Sequence, residues 1–323
     1  MAEMRALAYA DSRNGARYAH KVNPLLITPA ASLRRHVFAP VATALGRPLP
    51  SPLQDRVVVV TGASSGVGEA TAKLVAQRGA TVVLLARRAD ELARVVAEIK
   101  DDGGQAVAHP CDLTDGDAVD AVAAQILADY GRVDMLVNNA GRSIRRSLDL
   151  SYDRIHDFER TMAINYFGPV RLTLALLPSM RAAGFGHVVN VVTWGVQLKA
   201  PKFAAYISSK AALDSFARIA GRESWYDGVT FTNVRLPLVR TDMITATEAY
   251  RRARAKSPEE AAGLVVRALE DRPISISTVV GNVGEVFGWV APRLSDAVMA
   301  LMDSRMPDSR AARGLRSDEA EAS

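Results

Sequence analysis

The sequence has very little cysteine: Cys111 is the single one in 323 residues. One thiol excludes an intramolecular disulfide framework and is typical of a reducing compartment. No run of 18 uncharged apolar residues occurs, which argues against a membrane-spanning helix. Residues 1–15 also lack the apolar core of a secretory signal. We therefore expect a cytoplasmic protein, with association to a membrane surface left open.

The positive charge of the chain is concentrated near its N-terminus. The net charge is +5, and residues 1–54 contain seven cations but only two anions, so the remainder is neutral. Such a basic arm either contacts an anionic membrane surface or nucleic acid, or is a solvated tail without a partner. We expect no nucleic-acid role, because the arm has no dense Lys/Arg run and few aromatic residues.

Apolar runs alternate with helical patterns from Arg56 onward. The runs VVVVTG, TVVLLA and HVVNVV are continuous, which is typical of strands covered on both faces. Helices are predicted from about 67, over 89–101, 115–129, 151–182 and 203–226, and a last strand near 273–279. This order predicts an α/β fold, a Rossmann-type doubly wound parallel sheet with helices on both faces.

Three segments are expected along the chain. Residues 1–54 form a basic, proline-containing arm with a short helix near 31–45. Residues 55–280 form the nucleotide-binding catalytic domain. Residues 281–323 form an amphipathic extension and a disordered tail, with apolar residues at helical spacing. That apolar stripe either packs on the core or a subunit interface, forms a wall for a long-chain substrate, or lies flat on lipid.

The turn after the first strand has the composition of a phosphate-binding loop. Residues 61–68 read TGASSGVG. Glycines allow a tight turn and close approach of a pyrophosphate, and the next helix supplies free N–H groups and a positive partial charge. The expected cofactor contacts here are Gly62, Ser64, Ser65, Gly66, Val67 and Gly68.

The end of the second strand discriminates between cofactors. An enzyme that uses NAD carries Asp or Glu about 20 residues beyond the glycines, on the ribose 2′-hydroxyl. Here Ala86, Arg87 and Arg88 stand instead. No carboxylate repels a 2′-phosphate, and a guanidinium group can hold one. The sequence predicts NADP(H), with Arg87 as the main contact; a pair of solvated arginines is the alternative.

Tyr206 and Lys210 are the candidate acid–base pair. They lie four residues apart in AYISSKAAL, on one face of a predicted helix. The ordinary pKa of tyrosine is about 10, and a neighbouring ammonium lowers it. Thr193 ends a predicted strand, where its hydroxyl can donate to a carbonyl oxygen that gains charge. A hydroxyl bonded to its own backbone is the alternative.

Asn165 is the fourth polar candidate, on the largely apolar face of a predicted helix. Four residues later Pro169 has no N–H, so the Asn165 carbonyl loses its helical partner, and Gly168 with Pro169 should kink the helix. An ordered water is a natural replacement donor. We infer a water-mediated proton path from Asn165 through Lys210 to Tyr206, with a purely structural kink as the alternative.

Together these motifs resemble the short-chain dehydrogenase/reductase family over about residues 56–280. The resemblance implies an active tetrad of Asn165, Thr193, Tyr206 and Lys210, and a homodimer or homotetramer built on the helices near 151–182 and 203–226. It also implies that Asp112 and Leu113 border the adenine. Further cofactor contacts implied by the motifs NNAG and LPLVRT are Asn139, Ala140, Gly141, Pro237, Val239 and Thr241. Arg88, Tyr206 and Lys210 are also expected to contact the cofactor, with Lys210 on the ribose.

Two positions depart from the family pattern. Thr193 stands where the family usually has serine, and its β-branch restricts the aim of the hydroxyl. Leu238 stands where the family usually has glycine, which is expected to reshape the loop after the sixth strand.

A narrower resemblance concerns the substrate. The stretches NNAGRSIRRSLDLSYDRIHDFERTMAINYFGPVRL and SPEEAAGLVVRALEDRP are similar to bacterial fatty acyl-CoA reductases, which reduce a long acyl thioester to an aldehyde. By this resemblance Arg142, Arg145 and Arg146 hold phosphates of coenzyme A, and the C-terminal extension lines an acyl channel.

The sequence thus predicts an NADPH-dependent oxidoreductase of lipid metabolism, without a metal, that reduces a lipophilic carbonyl compound such as a long-chain acyl-CoA. One alternative is a dehydrogenase of the alcohol or ketone of a hydroxylated lipid or small molecule. The other is an NADP-binding module without turnover, which only the Thr193 substitution favours.

Overall fold

A single parallel sheet organises the computed structural model, which describes residues 31–44, 49–241, 255–308 and 311–313. Its strands are β1 (Val57–Thr61), β2 (Thr81–Ala86), β3 (Gln105–Pro110), β4 (Met135–Asn138), β5 (Gly186–Thr193), β6 (Val229–Leu236) and β7 (Ser275–Ile276). Their spatial order is β3-β2-β1-β4-β5-β6-β7. The order reverses between β1 and β4, as in doubly wound sheets, so the predicted Rossmann-type α/β fold is confirmed.

Helices cover both faces of this sheet and continue beyond it. They are α1 (Ala39–Ala44), α2 (Gly66–Ala76), α3 (Ala89–Asp101), α4 (Gly116–Tyr130), α5 (Ile155–Met162), α6 (Gly168–Ala183), α7 (Gly195–Leu198), α8 (Ala204–Glu223), α9 (Pro258–Asp271), α10 (Val279–Val290) and α11 (Pro292–Ser304). We call α10 and α11 together the C-terminal hairpin. It follows β7, the strand at the edge of the sheet.

The central strand β1 is buried on both faces. Val58 pairs with Val82 of β2 and with Met135 of β4. Val58 belongs to the core that contains α2, α3 and α9, whereas Val59 belongs to the core with α4, α6 and α8. The carboxyl ends of the strands consequently meet at one edge, where ligands bind in such sheets.

The long helix predicted over 151–182 is interrupted at the expected place. A π-helical turn, Ala163–Phe167, separates α5 from α6, and the Gly168 N–H bonds to the Ala163 carbonyl five residues earlier. Pro169 lies in the first turn of α6. The helix thus accommodates the missing N–H of Pro169 by a wider, π-helical turn. Such turns are a recognised cause of local helix distortion.

Two predicted boundaries are wrong. The last strand covers only Ser275–Ile276 instead of 273–279, because Pro273 has no N–H to pair and Thr278 already caps α10 through the Gly281 N–H. The helix predicted over 203–226 ends at Glu223, and a 3₁₀ turn follows.

The basic arm lies mostly outside the described residues. Its cations Arg5, Arg13, Arg17, Lys21 and Arg47 are among residues 1–30 and 45–48, as is Pro48. In the described part, Arg35 bonds to Glu270 and Asp271 at the end of α9. The expected disordered tail falls largely on residues 309–310 and 314–323, which are also outside, so the three-segment division stays a prediction. None of the helices in the described ranges combines the length and apolarity needed to cross a membrane.

His187 is a titratable group inside the sheet. In β5 its Nδ1 lies 2.8 Å from the Thr230 hydroxyl, and its Nε2 lies 3.1 Å from the Ala268 carbonyl oxygen. Burial, helped by the charge of Arg272, lowers the pKa of His187 from 6.5 to about 3. The neutral ring therefore cross-links β5, β6 and α9.

His187→Gln is expected to flatten the pH dependence of stability. Below pH about 6.5 the unfolded chain protonates this ring while the folded chain does not, so the free energy of unfolding falls as the pH falls towards about 3. The slope reaches about 1.4 kcal/mol per pH unit. Urea denaturation across this pH range measures it. The exposed His36 supplies the control, since His36→Gln should keep the slope; an unchanged slope in His187→Gln would reject the assignment.

Candidate active site

The Gly-rich loop between β1 and α2 is shaped for close approach of a ligand. Gly62 and Gly66 have φ of +67° and +56°, where side chains are strained. A Cβ on Gly68 would lie 2.2 Å from the Gly62 carbonyl oxygen. Ser65 precedes α2 and makes no capping hydrogen bond with its side chain. The first turn of α2 therefore offers its N–H groups to an anion.

Arg87 and Arg88 lie at the end of β2 and have different surroundings. The Arg87 side chain is 75% exposed, and its guanidinium is 3.8 Å from the Asp112 carboxylate. Arg88 donates to the carbonyl oxygen and hydroxyl of Ser64 at 3.3 and 3.2 Å. Arg88 thus fastens the Gly-rich loop, whereas the weak, exposed ion pair leaves the charge of Arg87 available to a ligand.

Lys210 is a buried cation on α8. Its ammonium donates to the Val191 carbonyl oxygen at 2.9 Å. Burial lowers the pKa of Lys210 from 10.5 to about 8, so the ammonium form still prevails at neutral pH. A Cβ on Gly141 would lie 3.1 Å from this ammonium. The NNAG turn after β4 therefore packs directly against Lys210.

Asn165 connects the NNAG turn to α8. Its side-chain oxygen accepts from the Arg142 N–H at 2.8 Å, and its amide donates to the Arg142 carbonyl and the Ser209 hydroxyl at 2.9 Å each. Ser209 donates onward to the Tyr206 carbonyl at 2.7 Å. Asn165 and Ser209 are fully buried. The Asn165 side chain therefore sets the distance between the turn and the helix that carries Tyr206.

Thr193 is the last residue of β5, and Tyr206 lies in the first turn of α8. The Gly195 N–H donates to Thr193 Oγ1 at 3.1 Å, so a local backbone bond is present. Because the hydroxyl accepts in that bond, its proton stays available for a substrate oxygen. The Tyr206 ring packs against Phe203, with ring centroids 6.2 Å apart. Both side chains border the cavity that Lys210 also borders.

One cavity of about 2120 Å³ joins all these elements. It passes the carboxyl ends of the strands, and of the predicted site residues all except Gly68 and Asn165 line it. Gly68 packs against the Gly-rich loop, and Asn165 forms hydrogen bonds with Arg142 and Ser209. The expected contacts that line it after β3, β4 and β6 are Asp112, Leu113, Asn139, Ala140, Gly141, Pro237, Val239 and Thr241.

Part of the cavity lining is apolar, and we call this part the apolar lobe. Its residues come from α7, α8, the loop between them, the C-terminal hairpin and the segment just after it: Leu198, Phe203, Ile207, Val280, Val283, Phe287, Met299, Met302 and Met306. Ordinary ligand pockets hold about 300–1000 Å³, so the whole cavity has room for a dinucleotide and a long apolar molecule together.

A polar contact set that the sequence did not reveal holds α10 over this lobe. Gln197 of α7 donates to Asn282 and Glu285 at 3.0 and 2.7 Å and accepts from the Ser277 hydroxyl at 2.6 Å. Gln197 is only 3% exposed. A buried, fully bonded amide of this kind fixes geometry, because breaking one partner leaves a polar group unpaired.

Two of the three arginines after the NNAG turn have structural partners. Arg145 donates to two backbone carbonyls of the segment 306–312 at 3.1 and 3.4 Å. Arg146 bonds to a third carbonyl there and pairs with Asp157 at 3.2 Å. The expectation that all three bind phosphates is wrong for Arg146, which does not line the cavity. Arg142 and Arg145 both line it, so for these two the expectation stays a prediction.

The loop after β6 is held by main-chain contacts with Lys256, and whether Leu238 reshapes it relative to the family stays a prediction. Val239 forms a parallel bridge with Lys256, and the Lys256 N–H donates to the Leu238 carbonyl at 2.9 Å. This bridge presents Val239 and Thr241 to the cavity. The Thr241 methyl group also closes over Gly66, since a Cβ there would lie 3.1 Å from it.

Comparison with known proteins decides the family. A sequence model described as short chain dehydrogenase matches residues 56–252. The chain belongs to the short-chain dehydrogenase/reductase family. It is 47% identical over 275 residues to an uncharacterized oxidoreductase of Mycobacterium tuberculosis, covering 84% of this chain and 81% of that one. The expected oxidoreductase class is thereby confirmed.

Two further relatives carry a more specific description. A fatty acyl-CoA reductase of Acinetobacter baylyi is 45% identical over 262 residues, which are 81% of this chain and 89% of the relative. Another fatty acyl-CoA reductase, from Mycobacterium tuberculosis, is 43% identical over 258 residues, which are 79% and 88%. The resemblance to this branch of the family rests on nearly the full length of both relatives.

Solved structures of this family superpose on the chain. A short-chain dehydrogenase from Streptomyces avermitilis has a TM-score of 0.65 and 33% identity, and the match covers 78% of this chain and 98% of that one. A metagenomic short-chain oxidoreductase in complex with NADP has a TM-score of 0.60 and 31% identity, with 70% and 98% covered.

Arg87→Ala is expected to weaken discrimination between NADPH and NADH. Loss of a guanidinium that binds a phosphate should raise KM for NADPH about tenfold or more and leave KM for NADH unchanged. Steady-state kinetics with both cofactors measures the ratio. Arg94→Ala is the control, because Arg94 is on α3, the helix that follows Arg87, but pairs with Glu69 and Glu98. An unchanged NADPH/NADH ratio in Arg87→Ala would show that Arg87 is only a solvated arginine.

Proposed function

We propose that the protein is an NADPH-dependent reductase that converts a long-chain acyl-CoA to an aldehyde. The observation that carries the proposal is the continuous cavity, in which the wall formed by Thr193, Tyr206 and Lys210 meets the apolar lobe. The two relatives described as fatty acyl-CoA reductases support the same substrate class. A shared fold alone constrains the substrate weakly, so the lobe is the stronger argument.

The Gly-rich loop and the end of β2 fit NADP(H). The helix α2 offers N–H groups to the pyrophosphate. A side chain at position 68 would collide with the backbone of the Gly-rich loop, so glycine keeps the loop close to α2. Arg87 stands at the ribose end, where Ala86 replaces the carboxylate that NAD requires. The structural neighbour in complex with NADP supports this assignment. When bound, NADPH supplies the hydride that reduces the carbonyl carbon.

Three side chains serve the carbonyl oxygen of the substrate. Tyr206 donates the proton, and the ammonium of Lys210 lowers the pKa of the phenol so that it can do so near neutral pH. Thr193 donates a hydrogen bond to the same oxygen, since its own oxygen already accepts from Gly195. With an acyl-CoA the product is a hemithioacetal. Its hydroxyl proton passes to sulfur as the C–S bond breaks, which releases the aldehyde and coenzyme A.

Asn165 is assigned a positioning role together with a water path. Its side chain holds Arg142 and Ser209, while the widened turn at 163–167 leaves its main-chain carbonyl at a break in regular helical bonding. A water bound to that carbonyl would return a proton to Tyr206 through Lys210. This path supplies the proton that each turnover removes from the phenol.

The substrate divides between the two ends of the site. The acyl chain lies in the apolar lobe, against Val283, Phe287 and Met302. Arg142 lines the cavity and is suited to an anionic group of coenzyme A. Arg145 lines it as well but already donates to two backbone carbonyls, and Arg146 does not line it.

Assembly and membrane contact remain proposals as well. The long helices α6 and α8 carry Leu174 and Ile219 on the surface, each 55% exposed, which supports a homodimer or homotetramer built on these helices. Contact of the basic arm with an anionic membrane remains the expectation from its charge alone.

Tyr206→Phe tests the proposed reaction. We expect at least about a hundredfold loss of kcat with palmitoyl-CoA and NADPH, because the proton donor is removed, while NADPH binding measured by fluorescence stays unchanged. Formation of one aldehyde and one free thiol per NADPH oxidised identifies the thioester reaction. Oxidation of NADPH by long-chain ketones or aldehydes, without thiol release, would leave the dehydrogenase alternative instead. Binding of NADPH without any turnover would leave the cofactor-binding module.

Met302→Trp tests the apolar lobe. The larger ring fills space on the cavity side of α11, so kcat/KM for palmitoyl-CoA should fall about tenfold or more, whereas an octanoyl substrate keeps most of its rate. Leu301→Trp is the matched control, because Leu301 directly precedes Met302, is 55% exposed and does not line the cavity. Equal losses with both chain lengths would place the acyl chain elsewhere.

A further inference from the structure

Gln197 of α7 contacts the segment of α10 with both polar atoms of its side chain. Its amide nitrogen donates to Asn282 and Glu285, and its oxygen accepts from the Ser277 hydroxyl. A carboxylate can only accept, so Glu285 fixes which end of the amide faces it. Gln197 itself does not line the cavity, but the next residue, Leu198, does. The polar contacts therefore adjoin a residue of the apolar lobe.

Two glycines of α10 allow α7 to approach this closely. A Cβ on Gly281 would lie 2.4 Å from the Gln197 side-chain oxygen, and a Cβ on Gly284 would lie 2.2 Å from a methyl carbon of Leu198. Both distances are shorter than a van der Waals contact, so a methyl group at either position requires Gln197 or Leu198 to move. Because Leu198 and Gly284 both line the cavity, such a movement changes its wall.

The amide of Gln197 fixes this contact more firmly than the neighbouring ion pair does. Glu285 also pairs with Arg235 of β6 at 3.6 Å, and Arg235 pairs with Asp214 of α8 at 3.0 Å. The Glu285 side chain is 51% exposed, so its long ion pair is weak. Gln197 is only 3% exposed, and its loss would leave three polar groups without a partner.

We propose that Gln197 is a positioning residue that sets the width of the apolar lobe, because it keeps Leu198 seated against Gly284. The helix α7 begins two residues after Thr193, and its Gly195 N–H holds the Thr193 hydroxyl. One short helix thus joins the hydrogen-bond donor of the reaction to the wall that an acyl chain contacts. The consequence for the choice of substrate rests on the proposed function, whereas the binding of a long apolar chain does not.

An exchange of the two side chains tests the role of Gln197. The readout is the dissociation constant of cis-parinaric acid, a fluorescent long-chain fatty acid, titrated without cofactor at pH 8. Gln197→Glu brings two carboxylates together at a buried site, so we expect the constant to rise about tenfold or more. Gln197→Glu/Glu285→Gln restores an amide beside a carboxylate at the same net charge, with the donor now on α10. It should bind within about threefold of wild type.

Two further variants separate this rescue from a general effect of Glu285. Glu285→Gln alone keeps an oxygen that accepts from Gln197 and should change the constant less than about threefold. Gln197→Leu removes all three hydrogen bonds and should weaken binding about tenfold, and adding Glu285→Gln to it should restore nothing.

Gly284→Ala changes the same wall without removing a polar group. Its methyl group displaces Leu198, so probe binding should weaken about fivefold or more, while NADPH binding and the melting temperature stay as in wild type. Gly263→Ala is the matched control, because Gly263 is a helical glycine of α9 at which a Cβ would meet nothing within 4 Å. It should bind the probe like wild type.

Three outcomes would overturn the role of Gln197: wild-type protein that does not bind the probe, equal binding by Gln197→Glu and Gln197→Leu, or an exchange variant no better than Gln197→Glu. NADPH binding that falls together with probe binding would also overturn it, since Gln197 would then only stabilise the fold. NADPH oxidation with palmitoyl-CoA is measured in parallel. Probe binding without turnover contradicts the proposed reaction alone, whereas a KM for palmitoyl-CoA that rises with the probe constant, at unchanged kcat, supports both.

Discussion

The active site depends on the hydrogen bond from the Lys210 ammonium to the Val191 carbonyl. Burying an ammonium opposes its charged form, as the lowered pKa of Lys210 shows. The bond at 2.9 Å offsets part of that penalty and ties α8 to β5 at one point. Tyr206 lies one helical turn before this point on α8, and Thr193 lies two residues after it on β5. A single contact therefore aligns the donor of the proton with the donor of the hydrogen bond.

The other side of the same point is held by Asn165. Its amide group occupies both the N–H and the carbonyl of Arg142 and also contacts Ser209, so the NNAG turn cannot shift relative to α8. Polar groups this deeply buried stabilise one arrangement only when all of them are bonded. The cofactor side and the acid–base side of the cavity are consequently joined by buried hydrogen bonds.

The fold and the cofactor side of the site could be predicted because they follow from local patterns. Continuous valine runs such as that of β1 indicate strands buried on both faces, and the glycines at 62, 66 and 68 stand where backbone must approach a phosphate. Tyr206 and Lys210 share a helix, so their spacing alone places them together. The interruption near Pro169 also follows from one missing N–H.

The hydrogen bonds of Gln197, Arg145 and Arg146 could not be predicted, because they join segments far apart in the chain. Gln197 meets Asn282 and Glu285 across more than 80 residues, and Arg145 and Arg146 meet carbonyls that no side-chain pattern marks. Ser209 left one signal, its place between Tyr206 and Lys210 on the buried side of α8. Arg146 was misassigned because a basic cluster has the same composition whether it binds a ligand or the chain's own backbone.

The contacts of Arg146 tie Ala312, near the end of the described residues, to the loop that follows the NNAG turn. Burial opposes the ionisation of Asp157, yet Arg154 and Arg160, with the charge of Arg146, hold the pKa of this carboxyl below its ordinary value. Through Arg146 this anionic anchor reaches the Ala312 carbonyl. Truncation before Ala312 would therefore remove the backbone carbonyl to which Arg146 donates and loosen the loop that follows the NNAG turn.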